Sequence, residues 1–368
     1  MELTKRERQR YARHLILPQL GETGQLKLKQ AKVLVIGAGG LGSPLLQYLA
    51  AAGAGTIGIV DPDRVSHSNL QRQVLYGETD LGELKVEAAK RRILDLNPHL
   101  TVHTYPAYLD RSNALALIQA YDIIADGTDN FPTRYLVNDA CVLSQKAYVY
   151  GSIFRFEGQV SVFNGLMADG TRGPHYRHLY PTPPPPDQVP NCAEGGVLGV
   201  LPGIIGSMQA NEVIKLITGI GEPLIGRMLL FDAAYFTQRV LRIPKGAPIE
   251  IKELIDYEQF CGLPAREAIP SIDAATFLNM RAGDKDFVLL DVRTPQEYAA
   301  DHLDGTLLPL NQLLGQTQPS FPGKGPLIVH CQTGGRSARA VQYLLDLGFT
   351  EVYNLEGGLK AVLELRST

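Results

Sequence analysis

Two stretches of this 368-residue chain hold residue types and spacings that could do chemistry. In the first, the apolar run Lys32-Val-Leu-Val-Ile leads into Gly37-Ala-Gly39-Gly40-Leu-Gly42, which opens an apolar helical pattern. A glycine turn at a helix N-terminus aims backbone N–H groups at phosphate, and Asp61, ending the next strand, is placed for a ribose hydroxyl. Behind Asp61-Pro-Asp63 come Ser68, Asn69 and Arg72, and then Lys85 at the start of a helix. These polar groups and cations suit a ribose and a polyphosphate. The run Tyr121-Asp-Ile-Ile-Ala-Asp126 empties into Gly127-Thr-Asp129-Asn130 at the same sheet edge, where Asp129 could hold Mg²⁺ between phosphates. In the second stretch, Cys331 leaves the strand Pro326-Leu-Ile-Val-His330 and begins Cys-Gln-Thr-Gly334-Gly335-Arg336-Ser337 ahead of a helix. Inward N–H groups of such a loop cradle an anion and activate a thiol.

These groups need a frame to hold them. Apolar strands at 32–37, 56–60, 121–126 and 147–153 alternate with helical patterns near 43–52, 83–95, 112–120 and 133–144. That alternation predicts an α/β fold, a mostly parallel sheet with helices on both faces. Residues 5–30 read as a polar amphipathic helix with a lead-in loop. Beyond Gln159 come a strand, an irregular segment holding four consecutive prolines (183–186), a helix over 204–217 and the strand Met228–Asp232. A linker at about 244–271 separates a first domain, 1–265, from a small α/β domain, 272–368.

Bulk properties narrow the function classes. The net charge of -3, the pI near 6.3 and the lack of a basic stripe argue against nucleic acid and membrane surfaces as partners. The N-terminal residues do not read as a signal peptide, and no apolar run reaches membrane-spanning length. The four cysteines, Cys141, Cys192, Cys261 and Cys331, are far apart and form no disulfide framework. A reduced, cytoplasmic protein is expected, with Cys141 in the core and Cys261 without reactive context.

A dehydrogenase is the default meaning of a glycine loop plus acid, but the motif alone is weak. The ordered set GAGGLG, D-x-D-x-V-x-x-SNLQRQ, Lys85, GTDN and RFEGQ (155–159) resembles the ATP-dependent activating enzymes of ubiquitin-like sulfur carriers. The resemblance runs from Arg10-Tyr-Ala-Arg13 to about Gly262 and implies a Rossmann-like adenylation domain of the ThiF/MoeB kind. It implies that Gly39, Gly40, Asp61, Ser68, Asn69, Arg72, Lys85 and Asn130 line ATP and that Asp129 handles Mg²⁺. It also implies a homodimer in which Arg13 reaches the neighbouring subunit's phosphates. Relatives carry a cysteine at the position of Cys192 that captures the activated carrier or resolves a sulfur intermediate. The plain alternative there is a small buried thiol.

The chain departs from the family at its structural zinc. Where relatives place the first of two Cys-x-x-Cys pairs, it reads Gly173-Pro-His175-Tyr-Arg-His178, and the second pair is missing from Pro244–Glu250. Two histidines fall short of four ligands, so no zinc is expected, and both rings are expected at the surface packing a loop.

The Cys331 loop is one residue shorter between Cys and Arg than in the cysteine phosphatases, which suits a persulfide better than a phosphate. With Asp291-Val-Arg293, Glu297, His302-Leu-Asp-Gly305 and Glu356-Gly-Gly358, residues 272–368 resemble a rhodanese domain. That resemblance implies a sulfane sulfur on Cys331, with Arg336 holding the anionic donor. Together the two domains imply adenylation of a carrier's Gly-Gly terminus followed by sulfur transfer, with a cysteine desulfurase or thiosulfate as donor. An NAD-dependent oxidoreductase and a non-catalytic carrier-binding adaptor are the alternatives.

Overall fold

The structure, a computed structural model, describes residues 2–184, 196–246, 249–262, 269–283, 286–321, 323 and 325–366. It divides into two compact units, Met1–Leu263 and Pro264–Thr368.

In the first unit, β1 (Lys32–Ile36), β2 (Thr56–Val60), β3 (Thr101–Tyr105), β4 (Ile123–Asp126) and β5 (Ala147–Phe154) form a parallel half-sheet in the order β3-β2-β1-β4-β5. Antiparallel β6 (Glu157–Phe163), β7 (Arg227–Asp232) and β8 (Thr237–Arg242) extend it beyond β5. Successive β1 residues serve opposite faces, as strand geometry requires. Val33 and Val35 pack with α4 (Gly42–Ala52) and the helix Leu201–Thr218, whereas Leu34 and Ile36 pack with α6 (Ala114–Gln119) and α7 (Phe131–Leu143). Both faces are covered, which is why these strands read as continuous apolar runs.

Strand order reverses at β1, with β2 and β3 on one side and β4 and β5 on the other. A crevice therefore opens outside the carboxyl ends of β1 and β4, the place where open α/β sheets take ligands.

The N-terminal segment differs from its expected single helix. It forms α1 (Lys5–Arg10), α2 (Ala12–Leu15) and α3 (Gly21–Gln30), with Thr4 and Glu7 making a capping box at the first. Glu7 is buried and paired with Lys29 at 2.8 Å, so a charge that reads as solvated holds the segment down.

The second unit has a parallel sheet ordered β11 (Thr306–Leu307), β10 (Val288–Asp291), β12 (Leu327–His330), β13 (Val352–Leu355) and β9 (Ser271–Ile272). The helix Gly335–Asp346 sets Ala340, Val341 and Leu344 against Val288, Leu290, Val329 and Val352.

Candidate active sites

The crevice of the first unit is a cleft of about 340 Å³. Its floor is the glycine loop, whose closure leaves no room for side chains. A Cβ on Gly42 would lie 2.0 Å from the Gly37 carbonyl oxygen, and Gly37 itself has φ +88°. Asp61 fastens the loop: its Oδ2 accepts the Ala38 N–H at 2.8 Å and its Oδ1 accepts the Asp63 N–H at 2.9 Å. Burial pushes the Asp61 carboxyl up, and nearby Lys85 opposes that shift.

Lys85 is the first residue of α5 (Lys85–Leu96) and is buried, with Nζ donating to Asp63 Oδ2 at 2.8 Å. Gly39, Gly40, Asp61, Asn69, Arg72, Lys85, Asp129 and Asn130 all line this one cleft. Asn130 also caps α7, its Oδ1 accepting the Thr133 N–H at 2.9 Å. Ser68 is not among the lining residues; its carbonyl accepts a hydrogen bond from Arg72 Nη1 at 3.1 Å. Arg13 lies on α2, exposed, and is not among the residues lining the cleft.

Two lining residues have no role marked by the sequence: Gln73 ends the SNLQRQ motif without one, and Arg134 lies outside every motif. Gln73 is buried, with its Oε1 unpartnered among the described residues. Arg134 is 6% exposed, beneath a cluster that includes Tyr150 and Phe131. Both owe their burial to distant packing, which residue spacing does not report.

The histidine pair also departs from expectation. His175 is buried and His178 half-buried, their rings 4.0 Å apart. Asp139 and Arg177 act electrostatically on His175; Arg177 donates twice to Asp139 at 2.8 and 2.6 Å, and Tyr257 donates to the same carboxylate at 2.8 Å. Among the described residues, no group of three or more His, Cys, Asp and Glu side chains could hold a metal. The two histidines by themselves supply two of the four ligands that a structural zinc takes. Cys141 is fully buried on α7, Cys261 is buried as well, and Cys192 lies outside the described residues.

In the second unit, β12 delivers Cys331 to the start of a tight loop that ends in the helix Gly335–Asp346. Gly334 has φ +94°, and its N–H donates to Cys331 Sγ at 3.2 Å. The Ser337 hydroxyl donates to the same sulfur at 3.5 Å. The Cys331 and Gln332 carbonyls turn away, accepting from Leu359 and Lys360 N–H groups at 2.9 and 3.1 Å. Gln332 is held in turn by buried Arg293, which pairs with buried Asp291 at 2.7 Å.

Arg336 is engaged by a neighbouring carboxylate. It donates to both Glu297 oxygens at 2.8 and 2.6 Å, and this holds the Glu297 carboxyl down at about 2.

A Rossmann-like nucleotide cleft and a separate cysteine loop define a chain of two catalytic classes. The ThiF family matches residues 11–248 and the rhodanese-like domain family matches residues 273–365. The chain belongs to the ThiF family and carries a rhodanese-like domain. It is 49% identical over 98% of its length, and 93% of the relative's, to the "Probable adenylyltransferase/sulfurtransferase MoeZ" of Mycobacterium tuberculosis. It is 51% identical, over 72% of its length and all of the relative, to the "Sulfur carrier protein adenylyltransferase" of Thermus thermophilus. Among solved structures, Escherichia coli MccB superposes with a TM-score of 0.58 at 22% identity, covering 66% of this chain and 74% of MccB, a likeness of fold. Among the described residues, no helix is long and apolar enough to cross a membrane.

Proposed function

We propose that this chain adenylates the C-terminal Gly-Gly carboxylate of a ubiquitin-like sulfur carrier and then converts it to a thiocarboxylate. One observation carries the reading: a cleft holding Lys85 and Arg72, and a buried cysteine whose sulfur accepts the Gly334 N–H and the Ser337 hydroxyl, share one chain. The names of the relatives agree with it.

A carboxylate oxygen attacks the α-phosphorus of ATP, the α–β phosphoanhydride bond breaks, and pyrophosphate leaves with the electron pair. Lys85 and Arg72 offset the charge gathered on the phosphates, and the glycine loop supplies backbone donors. Exposed Asp129 in the cleft would hold Mg²⁺, which would supply positive charge against the phosphates. With AMP as its leaving group the acyl carbon becomes a competent electrophile. The terminal sulfur of a Cys331 persulfide attacks that carbon and expels AMP, giving an acyl disulfide. A second thiol, for which Cys192 is the sequence candidate, then attacks Cys331 Sγ and releases the thiocarboxylate.

A homodimer sharing Arg13, a cysteine desulfurase or thiosulfate as sulfur source, cytoplasmic placement and the absence of a structural zinc belong to the same proposal. So do the boundaries 1–265 and 272–368. Mass spectrometry of candidate carriers incubated with protein, ATP, Mg²⁺ and a sulfur source should show replacement of the terminal oxygen by sulfur. Carriers left unchanged, with no carrier-dependent ATP–pyrophosphate exchange, would leave an adaptor role instead. Stoichiometric zinc surviving dialysis against a chelator would overturn the zinc-free assignment.

A further inference from the structure

Arg134 is a buried cation in the nucleotide cleft with no task in the steps above. It is 6% exposed, yet it lines the cleft. Among the described residues its side-chain hydrogen bond is a long one, Nη2 to the Thr128 carbonyl at 3.3 Å, and Nε has no partner. The neighbouring acid, Asp126, is committed elsewhere. Its Oδ1 accepts from the Thr128 N–H at 2.8 Å and the Thr128 hydroxyl at 2.6 Å, and its Oδ2 accepts from the Tyr148 hydroxyl at 2.6 Å. The guanidinium is instead steadied by rings, 5.6 Å from the Phe131 centroid and 5.5 Å from that of Tyr150. A buried guanidinium with donors to spare is costly unless an anion completes it.

Its position says which anion. Asp61, Arg72 and Lys85 follow β2 in the chain and serve one side of the glycine loop, whereas Arg134 comes from the helix after β4, on the other side. The cleft wall towards β5 includes the apolar residues Ile153 and Val197. The cations assigned to the nucleotide phosphates, Lys85 and Arg72, stand on the first side, and Arg134 is the cleft cation on the second among the described residues. The second offers apolar walls for a chain without side chains and a planar fork for its carboxylate.

We propose that Arg134 binds the C-terminal carboxylate of the acceptor protein and holds it for attack on the α-phosphorus of ATP. This deepens the adenylation reading and rests on it. Arg134 screens one of the two anions that must meet, while Lys85 and Arg72 screen the other.

The test uses full-length protein and a carrier ending in Gly-Gly, comparing wild type with Arg134→Gln and Arg134→Lys. Affinity for a non-hydrolysable ATP analogue, measured by calorimetry without carrier, should stay within about threefold in both variants, since the nucleotide sites are separate. Carrier-dependent ATP–pyrophosphate exchange should fall by about 10²-fold in Arg134→Gln, with the loss in carrier kcat/KM, and recover in part in Arg134→Lys, which keeps the charge. In Arg134→Ala, free guanidinium ion should restore exchange, a response that a packing role does not give. Analogue affinity falling in step with exchange would assign Arg134 to the phosphates and overturn the proposal, as would unchanged exchange. Wild-type protein that catalyses no exchange would instead overturn the adenylation reading itself.

Discussion

Lys85 Nζ lies 2.8 Å from Asp63 Oδ2, with 5% of the lysine side chain exposed against 57% of the aspartate's. The pair is unequal: Asp63 can turn into water at little cost, whereas Lys85 would be left buried without its hydrogen-bonded partner. A phosphoryl oxygen is the natural replacement. Lys85→Met should lower carrier-dependent ATP–pyrophosphate exchange by about 10²- to 10³-fold. Asp63→Asn, which frees Lys85, should tighten binding of an ATP analogue by up to about fivefold, the range of a half-exposed pair. Calorimetric titration of both variants checks the asymmetry, and a loss of affinity in Asp63→Asn would show that Asp63 serves the nucleotide directly.

The two chemistries should separate by mutation. Cys331 belongs to a compact unit whose core is its own, and its sulfur takes no part in forming the adenylate. Cys331→Ala should keep exchange intact and abolish thiocarboxylate formation, read by carrier mass. Equal loss of both activities would refute the division of labour.

Arg336 sits in the persulfide loop but spends its fork on Glu297. A small anionic donor such as thiosulfate must compete with that carboxylate for the guanidinium. Glu297→Gln should therefore lower the KM for thiosulfate several-fold in thiosulfate–cyanide sulfur transfer. Glu297 is held down at about 2, chiefly by its hydrogen bonds from Arg336, so it stays ionised at all ordinary pH. Its effect on KM should then be constant from about pH 5 to about pH 8. A KM difference that vanishes on mild acidification would point to another group.

What could be read from the sequence was what local pattern determines. Residues 33–36 of the run Lys32–Ile36 are buried and read as a strand, and Gly37–Gly42 is forced by a Cβ clash that any glycine-loop pattern anticipates. β3 went unread because Thr101–Tyr105 is a short edge strand with a broken apolar pattern. Arg134, outside every motif, and Gln73, the last residue of SNLQRQ, showed no role in the sequence for a different reason. A buried cation and a buried amide look like surface residues until the helix and strands that enclose them are assembled. His175 misled in the same direction, because its burial depends on segments far away in the chain. Glu297 was placed in the rhodanese pattern, but its grip on Arg336 is a tertiary contact that spacing does not reveal.

His175 carries the clearest pH prediction. Burial, with His178 beside it, pushes its imidazole down to about 4, while Asp139 pulls the other way and Arg177 adds to the depression. The folded protein therefore keeps this ring neutral where the unfolded chain, with an ordinary value of 6.5, already binds a proton. The stability it contributes is present above about pH 6.5 and is lost as pH falls through about 4. For so buried a ring the loss should reach roughly 2–3 kcal/mol. His175→Phe keeps the aromatic volume and cannot be protonated, so the unfolding midpoint of the first unit should fall less steeply on acidification than in wild type. Thermal unfolding followed at several pH values measures the two slopes. Parallel slopes would mean that His175 is solvated in solution and less buried than its 6% exposure implies.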